Sequence, residues 1–143
     1  MRRPRNFIAA TTEALLLDTH TFLWAIFEPE RLSGAVRRLL ANPQIRLYLS
    51  VASVWEIELK HRKGKLSAEP AVVDASMREL SVYPLAIALL HIRALATLET
   101  RGGSAGHKDP FDRLIAAQSV VENLPLVTAD AAFAAYAQVK VRW

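Results

Sequence analysis

The stretch that decides the fold of this chain is DPFDRLIAA, at residues 109–117. Asp109 stands where a helix N-cap is wanted, Pro110 suits the first helical position, and Asp112 falls in the first turn. An apolar, alanine-rich run follows, so the pattern predicts a helix from Pro110 to about Glu122. The start of that helix carries two acids.

Three further acids follow or interrupt apolar sequence elsewhere in the chain. Asp18 follows the run ALLL, Glu56 lies within SVWEI, and Asp130 follows LVTA. Short runs that are apolar throughout are typical of strands buried on both faces of a sheet. We predict that these three acids meet Asp112 in the folded protein.

Apolar runs alternate with helical stretches along the chain. We predict strands at residues 14–17, 45–49, 82–83, 124–128 and 139–143. We predict helices at residues 22–27, 34–41, 51–63, 70–80, 86–100, 110–122 and 131–136. The alternation predicts an α/β fold with a central, mainly parallel sheet. Ligands bind such sheets beyond the carboxyl ends of the strands, which is where Asp18 and Asp130 lie.

Length and composition indicate one globular domain. The chain has 143 residues, of which 52% are hydrophobic and 22% charged, a balance that excludes a disordered chain. The absence of cysteine excludes disulfides and thiolate metal sites, and it suits a cytoplasmic protein. The net charge of +4 is weak support for a nucleic-acid partner, because three arginines lie in the first five residues.

We expect the domain to occupy residues 13–143, with residues 1–12 as a disordered N-terminal extension. The extension lacks the apolar segment and the cleavage site of a secretory signal. No apolar run is long enough to cross a membrane, since the longest, at residues 80–92, is interrupted by Pro84. Residues 102–106, GGSAG, predict a flexible loop.

Each aspartate also has a purely structural interpretation. Asp18, Asp109 and Asp130 all stand at N-cap positions, where an aspartate contributes about 1 kcal/mol without any catalytic role. Capping explains Asp18 and Asp130 as well as a functional role does. It is the better explanation of Asp109, which forms nearly a capping box with Asp112.

Glu56 stands in the middle of a predicted helix. It can pair with Lys60 four residues on, a contribution of roughly 0.2–0.5 kcal/mol. Glu58 and Arg62 have the same spacing, and we predict an exposed pair there. The apolar neighbours of Glu56 favour a partly buried acid.

Four acids gathered at one sheet edge would repel one another, and burial would raise their pKa values. A divalent cation reverses that cost, and sites built of oxygen ligands suit Mg²⁺ or Mn²⁺. Such a metal can activate a water molecule and neutralise charge that develops on a phosphate. The acids therefore predict a metal site that could cleave a phosphodiester bond.

The remaining polar and aromatic residues give weaker signals. The histidines show no metal-ligand spacing, and His107 with Lys108 could touch a phosphate, although a solvated loop is the better interpretation. Arg113 is a candidate for contact with RNA or with an acid. We assign Trp24 and Trp55 to the core in preference to base stacking. Three hydroxyls near the expected site, each more typical of a cap or backbone tie, are Thr19, Ser50 and Thr128.

Four motifs, in order along the chain, resemble those of PIN-domain proteins, and in particular the VapC-type toxins of prokaryotic toxin–antitoxin pairs. These motifs are LLDTH around Asp18, SVWEI around Glu56, DPFDRLIAAQ around Asp112 and LPLVTAD ending at Asp130. The resemblance runs from residue 14 to the C-terminus. One such motif would be a weak signal, whereas four in this order and spacing are specific. The extension at residues 1–12 departs from the family pattern.

The resemblance implies a three-layer α/β/α fold and an endoribonuclease that depends on Mg²⁺ or Mn²⁺. It further implies a homodimer held inactive by a cognate VapB-like antitoxin, whose other end binds operator DNA. The catalytic, metal-binding acids carried over are Asp18, Glu56, Asp112 and Asp130. Asp112 matches the third acid because it lies three residues before the Ile-Ala-Ala run. The accessory candidates are Asp109, Thr19, Thr128 and Arg113.

Three other functions fit parts of this pattern. A PIN nuclease of RNA processing has no antitoxin, and an antitoxin-like reading frame immediately upstream would argue against it. A non-catalytic RNA-binding module with this fold would bind RNA without cutting it in Mn²⁺. An α/β phospho-acceptor domain would form an acyl phosphate at Asp18, but it leaves Glu56 and Asp130 unexplained.

Overall fold

The computed structural model describes residues 13–100 and 107–143. The predicted extension at residues 1–12 and the predicted loop at 102–106 lie outside the described residues. The strands are β1 (Glu13–Leu17), β2 (Ile45–Ser50), β3 (Val82–Leu85), β4 (Leu126–Val127) and β5 (Val141–Arg142). The α-helices are α1 (Thr19–Phe27), α2 (Gly34–Ala41), α3 (Val51–Arg62), α4 (Pro70–Glu79), α5 (Leu89–Ala94) and α6 (Pro110–Glu122).

The strands form one parallel sheet in the order β3-β2-β1-β4-β5. From β1 the chain passes to β2 and β3 on one side, and later to β4 and β5 on the other. The order therefore reverses between β1 and β4, and this switch point is where parallel sheets bind ligands. The predicted α/β class and parallel sheet are confirmed.

The central strand β1 explains the two faces of the core. Leu15, Leu16 and Leu17 are completely buried. Leu15 and Leu17 belong to one apolar cluster, which includes Phe22 of α1, whereas Leu16 belongs to a second, with Ile115 of α6. Successive side chains of a strand point to opposite faces, so helices cover both sides of the sheet. The predicted three layers are confirmed.

The prediction of one helix over residues 86–100 is wrong in its length, because the observed helix is shorter. Only α5 is α-helical there, and one 3₁₀ turn, Leu95–Thr97, follows it. The chain beyond that turn bonds to residues near the C-terminus instead of to itself. Gln138 donates to the Thr97 carbonyl, and the Ala137 backbone N–H donates to the Glu99 carbonyl. Those tertiary hydrogen bonds replace the last turns of the predicted helix.

Several predicted boundaries also shift. The helix predicted at residues 22–27 begins at Thr19, and the one predicted at 131–136 is a 3₁₀ segment, Ala131–Ala135. Strand β4 is shorter than predicted because residue 124 takes part in the capping turn that follows α6. There Asn123 adopts the left-handed conformation, with φ of 54°, and the Leu124 N–H donates to the Ser119 carbonyl.

The last predicted strand, residues 139–143, is reduced to β5, while β3 runs longer than predicted and includes Pro84. Proline is tolerated there because β3 is an edge strand. Within the described residues, no helix combines the length and the apolar character that a membrane span requires.

Candidate metal centre

Asp18 follows β1 and is 5% exposed. One carboxylate oxygen accepts a hydrogen bond from the Thr21 backbone N–H at 2.6 Å, and the other accepts one from the Thr128 hydroxyl. The first contact caps α1, so the capping interpretation is confirmed. Burial nevertheless raises the pKa of Asp18 above its ordinary value, against the effect of both hydrogen bonds. An aspartate that capped from a solvated position would not carry this cost.

Thr128 joins the ends of β1 and β4. Its hydroxyl donates to Asp18 and accepts a hydrogen bond from the Asp130 backbone N–H at 3.0 Å. The two aspartates are thus linked through one buried hydroxyl at the switch point. A cleft of about 280 Å³ opens there, lined by Asp18, His20, Trp24, Ala129 and Asp130.

Hydroxyl groups also fix α1 and α3. The Thr19 hydroxyl donates to the Ser53 hydroxyl at 2.9 Å, and Ser53 lies one turn before Glu56. Ser50 caps α3 by accepting from the Ala52 N–H at 3.0 Å. Thr19 and Ser50 therefore act as ties, the more ordinary of the two roles expected for them.

Glu56 points into the protein from α3 and is 5% exposed. Its Oε2 pairs with the Lys60 ammonium at 3.1 Å, so the predicted pairing and the predicted burial both hold. Its Oε1 is buried and has no hydrogen-bond partner among the described residues. A buried carboxylate oxygen without a partner is costly, and a cation or a water molecule at this position would offset that cost. By contrast Glu58 and Arg62, 3.8 Å apart, form the predicted exposed pair.

Asp109 and Asp112 at the start of α6 have different surroundings. Asp109 Oδ1 accepts from the backbone N–H groups of Phe111, at 2.8 Å, and of Asp112, at 3.3 Å. This is the predicted N-cap. The Asp112 carboxylate instead approaches the His107 ring, with 4.0 Å between Oδ2 and Nε2.

Asp109→Ala is expected to lower the free energy of unfolding by about 1 kcal/mol, because it removes the N-cap of α6. Urea unfolding measures the change. Asp109→Asn is the matched control, since an asparagine caps almost as well and should keep most of the stability. A loss of RNA cleavage with unchanged stability in Asp109→Ala would mean that Asp109, and not Asp112, is the third acid.

The pKa of Asp112 is raised from 3.8 to about 6. Burial is the main cause, and the negative charges of Asp109, Glu56 and Asp130 raise it further, while His107 opposes the rise. The repulsion expected from the sequence is therefore present in the folded protein. The charged form of Asp112 is destabilised unless a cation neutralises the cluster.

Asp112→Asn is expected to stabilise the metal-free protein at pH 8 by about 1 kcal/mol, less than the full pKa difference implies because the side chain is 29% exposed. Between pH 3.8 and about 6 the unfolded chain releases this proton first, so the wild type loses stability as pH rises. Urea unfolding in EDTA should show a smaller gain at pH 4. Asp74→Asn, at an exposed acid of α4, controls for the lost charge. An equal gain in the free energy of unfolding at both pH values would contradict the raised pKa of Asp112.

His107 is the site residue that the sequence pattern missed. Its Nε2 donates to Asp130 Oδ2 at 3.0 Å, and its side chain is 7% exposed, so the expectation of a solvated loop is wrong. The ring lies 4.1 Å from that of Phe133 and is stacked on Tyr136 at 5.7 Å. Two aromatic residues distant in sequence create this pocket, so no local pattern could indicate it.

Asp130 is held at both of its oxygens. Oδ1 accepts from the Ala132 N–H at 2.9 Å, as predicted for a cap, and Oδ2 accepts from His107. Burial alone would raise the pKa of Asp130, but these hydrogen bonds and the nearby His107 outweigh it and lower the pKa. Asp130 therefore stays ionised beside an Asp112 that resists ionisation.

The tightest group of potential ligands in the described residues differs from the predicted quartet. His107, Asp112 and Asp130 each offer one ligand atom within 4.8 Å of the others, whereas Asp18 and Glu56 lie outside this group. The electrostatic effect of Glu56 on Asp112, and the Thr128 link from Asp18 to Asp130, connect the outer two acids to it. The four predicted acids are thus connected pairwise, and of the four only Asp112 and Asp130 belong to the compact group.

Residues 15–139 match the sequence model of the PIN domain, which spans most of the chain and all four acids. The chain belongs to the PIN domain family. No curated protein sequence matches it.

Solved structures with this PIN fold include chains from toxin–antitoxin complexes. A chain of VapBC2 from Rickettsia felis, solved with a DNA fragment from its promoter, has a TM-score of 0.67 at 18% identity, over 90% of this chain and 97% of its own. A chain of DNA-bound VapBC from Salmonella typhimurium has a TM-score of 0.67 at 18% identity. The match covers 91% of this chain and 97% of that one. A chain of FitAcB from Neisseria gonorrhoeae has a TM-score of 0.54 at 21% identity. The match covers 89% of this chain and 95% of that one. At these identities the likeness establishes the fold alone.

The donor set of this PIN domain suits a divalent cation. Its potential ligands are carboxylate oxygens, with one imidazole nitrogen close by. The buried Oε1 of Glu56 lacks a partner, and neighbouring acids raise the pKa of Asp112. Both observations describe negative charge that the described side chains leave partly uncompensated. A cation among these groups would supply the missing charge.

The predicted contacts of Arg113 and the predicted burial of Trp24 and Trp55 can be compared with the structure of the PIN domain. Arg113 donates to the Leu95 carbonyl at 3.1 Å and not to an acid, so it ties α6 to the preceding 3₁₀ turn. Trp24 is partly buried and packs against the core, as predicted. Trp55 is 57% exposed, so its assignment to the core is wrong. It projects from α3 away from both core clusters and contacts the ring of Phe111.

Proposed function

We propose that this PIN domain is an endoribonuclease of VapC type that depends on Mg²⁺ or Mn²⁺. The observation that carries the proposal is the cluster of His107, Asp112 and Asp130 in a PIN domain, to which Thr128 links Asp18 and on which the charge of Glu56 acts. The carboxylates of these four acids would hold the metal. When bound, such a metal supplies an activated water and neutralises charge on the phosphate that is attacked.

The residues of the chain supply rigidity and charge for this reaction. Thr128 and the Thr21 N–H fix the carboxylate of Asp18, while His107 and the Ala132 N–H fix that of Asp130. Preorganised ligands of this kind lower the cost of ordering the site when a metal or substrate arrives. Burial and the neighbouring acids raise the pKa of Asp112, so its ionised form is unfavourable without a metal, and a bound cation would favour that form.

The proposed partners are RNA as substrate and a VapB-like antitoxin as inhibitor. The fold likeness to chains of VapBC and FitAcB complexes supports an antitoxin. Two of those complexes contain DNA, and we expect this chain to reach operator DNA only through its antitoxin. A homodimer completes the proposed assembly.

Incubation of purified protein with total bacterial RNA tests the proposal. We expect discrete fragments in Mn²⁺ or Mg²⁺ and none in EDTA. The fragments should lack 2′,3′-cyclic phosphates, because a water molecule and not the neighbouring 2′-hydroxyl attacks the phosphorus. RNA that is bound but uncut in Mn²⁺, or cut equally well in EDTA, would contradict a metal-dependent nuclease.

A further inference from the structure

Two aromatic side chains are sequence neighbours of acids assigned to the candidate metal centre. Trp55 of α3 and Phe111 of α6 meet edge to face, with 5.1 Å between ring centroids and 78° between ring planes. We call this pair the aromatic rim. Trp55 is 57% exposed and Phe111 is half-buried.

The aromatic rim is tied to the acids by the chain itself. Trp55 immediately precedes Glu56, and Phe111 immediately precedes Asp112. The charge of Glu56 acts on Asp112, so α3 and α6 approach one another where the rim forms. A molecule that contacted both rings would therefore lie beside the acids.

Packing does not account for the exposure of Trp55. Neither Trp55 nor Phe111 belongs to the two core clusters of the described residues. Leaving a large aromatic surface in water forfeits the free energy of its burial.

We propose that the aromatic rim stacks an unpaired base of the RNA substrate; this inference rests on the proposed function. An edge-to-face pair leaves ring surface open to a third flat group. Bases in a duplex already stack on each other, whereas unpaired bases splay onto aromatic side chains. Lys108, exposed close to the start of α6, adds a cation for the adjacent phosphates.

Binding of RNA is measured by fluorescence anisotropy in the Asp18→Asn background, in Mg²⁺, so that the RNA stays intact. The probes are a fluorescein-labelled mixed-sequence oligoribonucleotide and the same strand annealed to its complement. The variants are Trp55→Leu and the conservative Trp55→Phe. Tyr83→Leu is the matched control, because Tyr83 on edge strand β3 is 51% exposed and contacts a second ring, that of Tyr48, at 6.0 Å.

Trp55→Leu is expected to weaken single-strand binding about tenfold or more, the scale of one lost base stack. Trp55→Phe should restore most of the affinity, and Tyr83→Leu should change nothing. The duplex should bind more weakly and be indifferent to residue 55. A second measurement keeps Trp55 in place. In protein carrying Trp24→Phe and Trp143→Phe, Trp55 is the remaining tryptophan, and the single strand should quench its fluorescence.

Unchanged single-strand affinity in Trp55→Leu, or an equal loss for single strand and duplex, would overturn the inference. So would a change of oligomeric state in Trp55→Leu by sedimentation, which would make the rim a contact with a second copy. Cleavage of RNA by the wild type is scored separately. If the wild type cleaves RNA but binding does not depend on Trp55, only the stacking proposal is contradicted. If binding depends on Trp55 but the wild type does not cleave RNA, only the proposed nuclease activity is contradicted.

Discussion

Glu56→Gln and Asp112→Asn are each expected to slow RNA cleavage by about a hundredfold or more. Outer groups that merely orient a metal ligand cost ~10–100-fold when mutated, and the ligand itself should cost at least as much. Both amides keep the shape of the side chain, so the fold should survive. Initial rates on a labelled single-stranded RNA in Mn²⁺ measure the effect.

Glu58→Gln is the matched control for this prediction. It makes the same substitution two residues further along α3, at an exposed glutamate paired with Arg62. We expect it to cut at the wild-type rate, because an exposed pair of this kind contributes little. If Glu56→Gln cut as fast as Glu58→Gln, Glu56 would have no place in the site, whatever its burial.

Mn²⁺ is expected to stabilise the wild type strongly and the Asp112→Asn variant hardly at all. A ligand at a hundred times its Kd adds about 2.7 kcal/mol to the free energy of unfolding, which raises Tm by several degrees in a chain of this size. The gain arises because the cation offsets the burial, and the repulsion by neighbouring acids, that raise the pKa of Asp112. Thermal unfolding with and without Mn²⁺ measures it.

The order of Tm values makes the Mn²⁺ prediction more stringent. Without metal, Asp112→Asn should melt above the wild type, and in saturating Mn²⁺ it should melt below it. Asp74→Asn should respond to Mn²⁺ as the wild type does, because its carboxylate is exposed on α4. An equal rise in wild type and Asp112→Asn would show that Mn²⁺ binds elsewhere.

The central strand and the start of α6 could be predicted because local sequence encodes them. Leu15, Leu16 and Leu17 form an uninterrupted apolar run that is completely buried, as expected of a central strand covered on both faces. Asp109 and Pro110 mark the start of α6 through backbone geometry that acts within one turn. These signals do not depend on the rest of the fold.

The missed features all depend on partners distant in sequence. His107 is buried by Phe133 and Tyr136, and the end of the helix predicted at residues 86–100 is lost to bonds with residues 137 and 138. Trp55 was misassigned because an apolar neighbourhood in sequence does not specify which side of a helix is buried. In α3 the buried side carries Ser53, Glu56 and Ile57, and Trp55 lies outside it.

Induced expression in a bacterial host, wild type beside Asp18→Asn, with sequencing of RNA 5′ and 3′ ends, tests the central claim most directly. The account predicts growth arrest with discrete new RNA ends in the wild type, and neither in the variant. The ends would also identify the RNA that is cut. Arrest and new ends that persist in Asp18→Asn would contradict a nuclease site built on these acids.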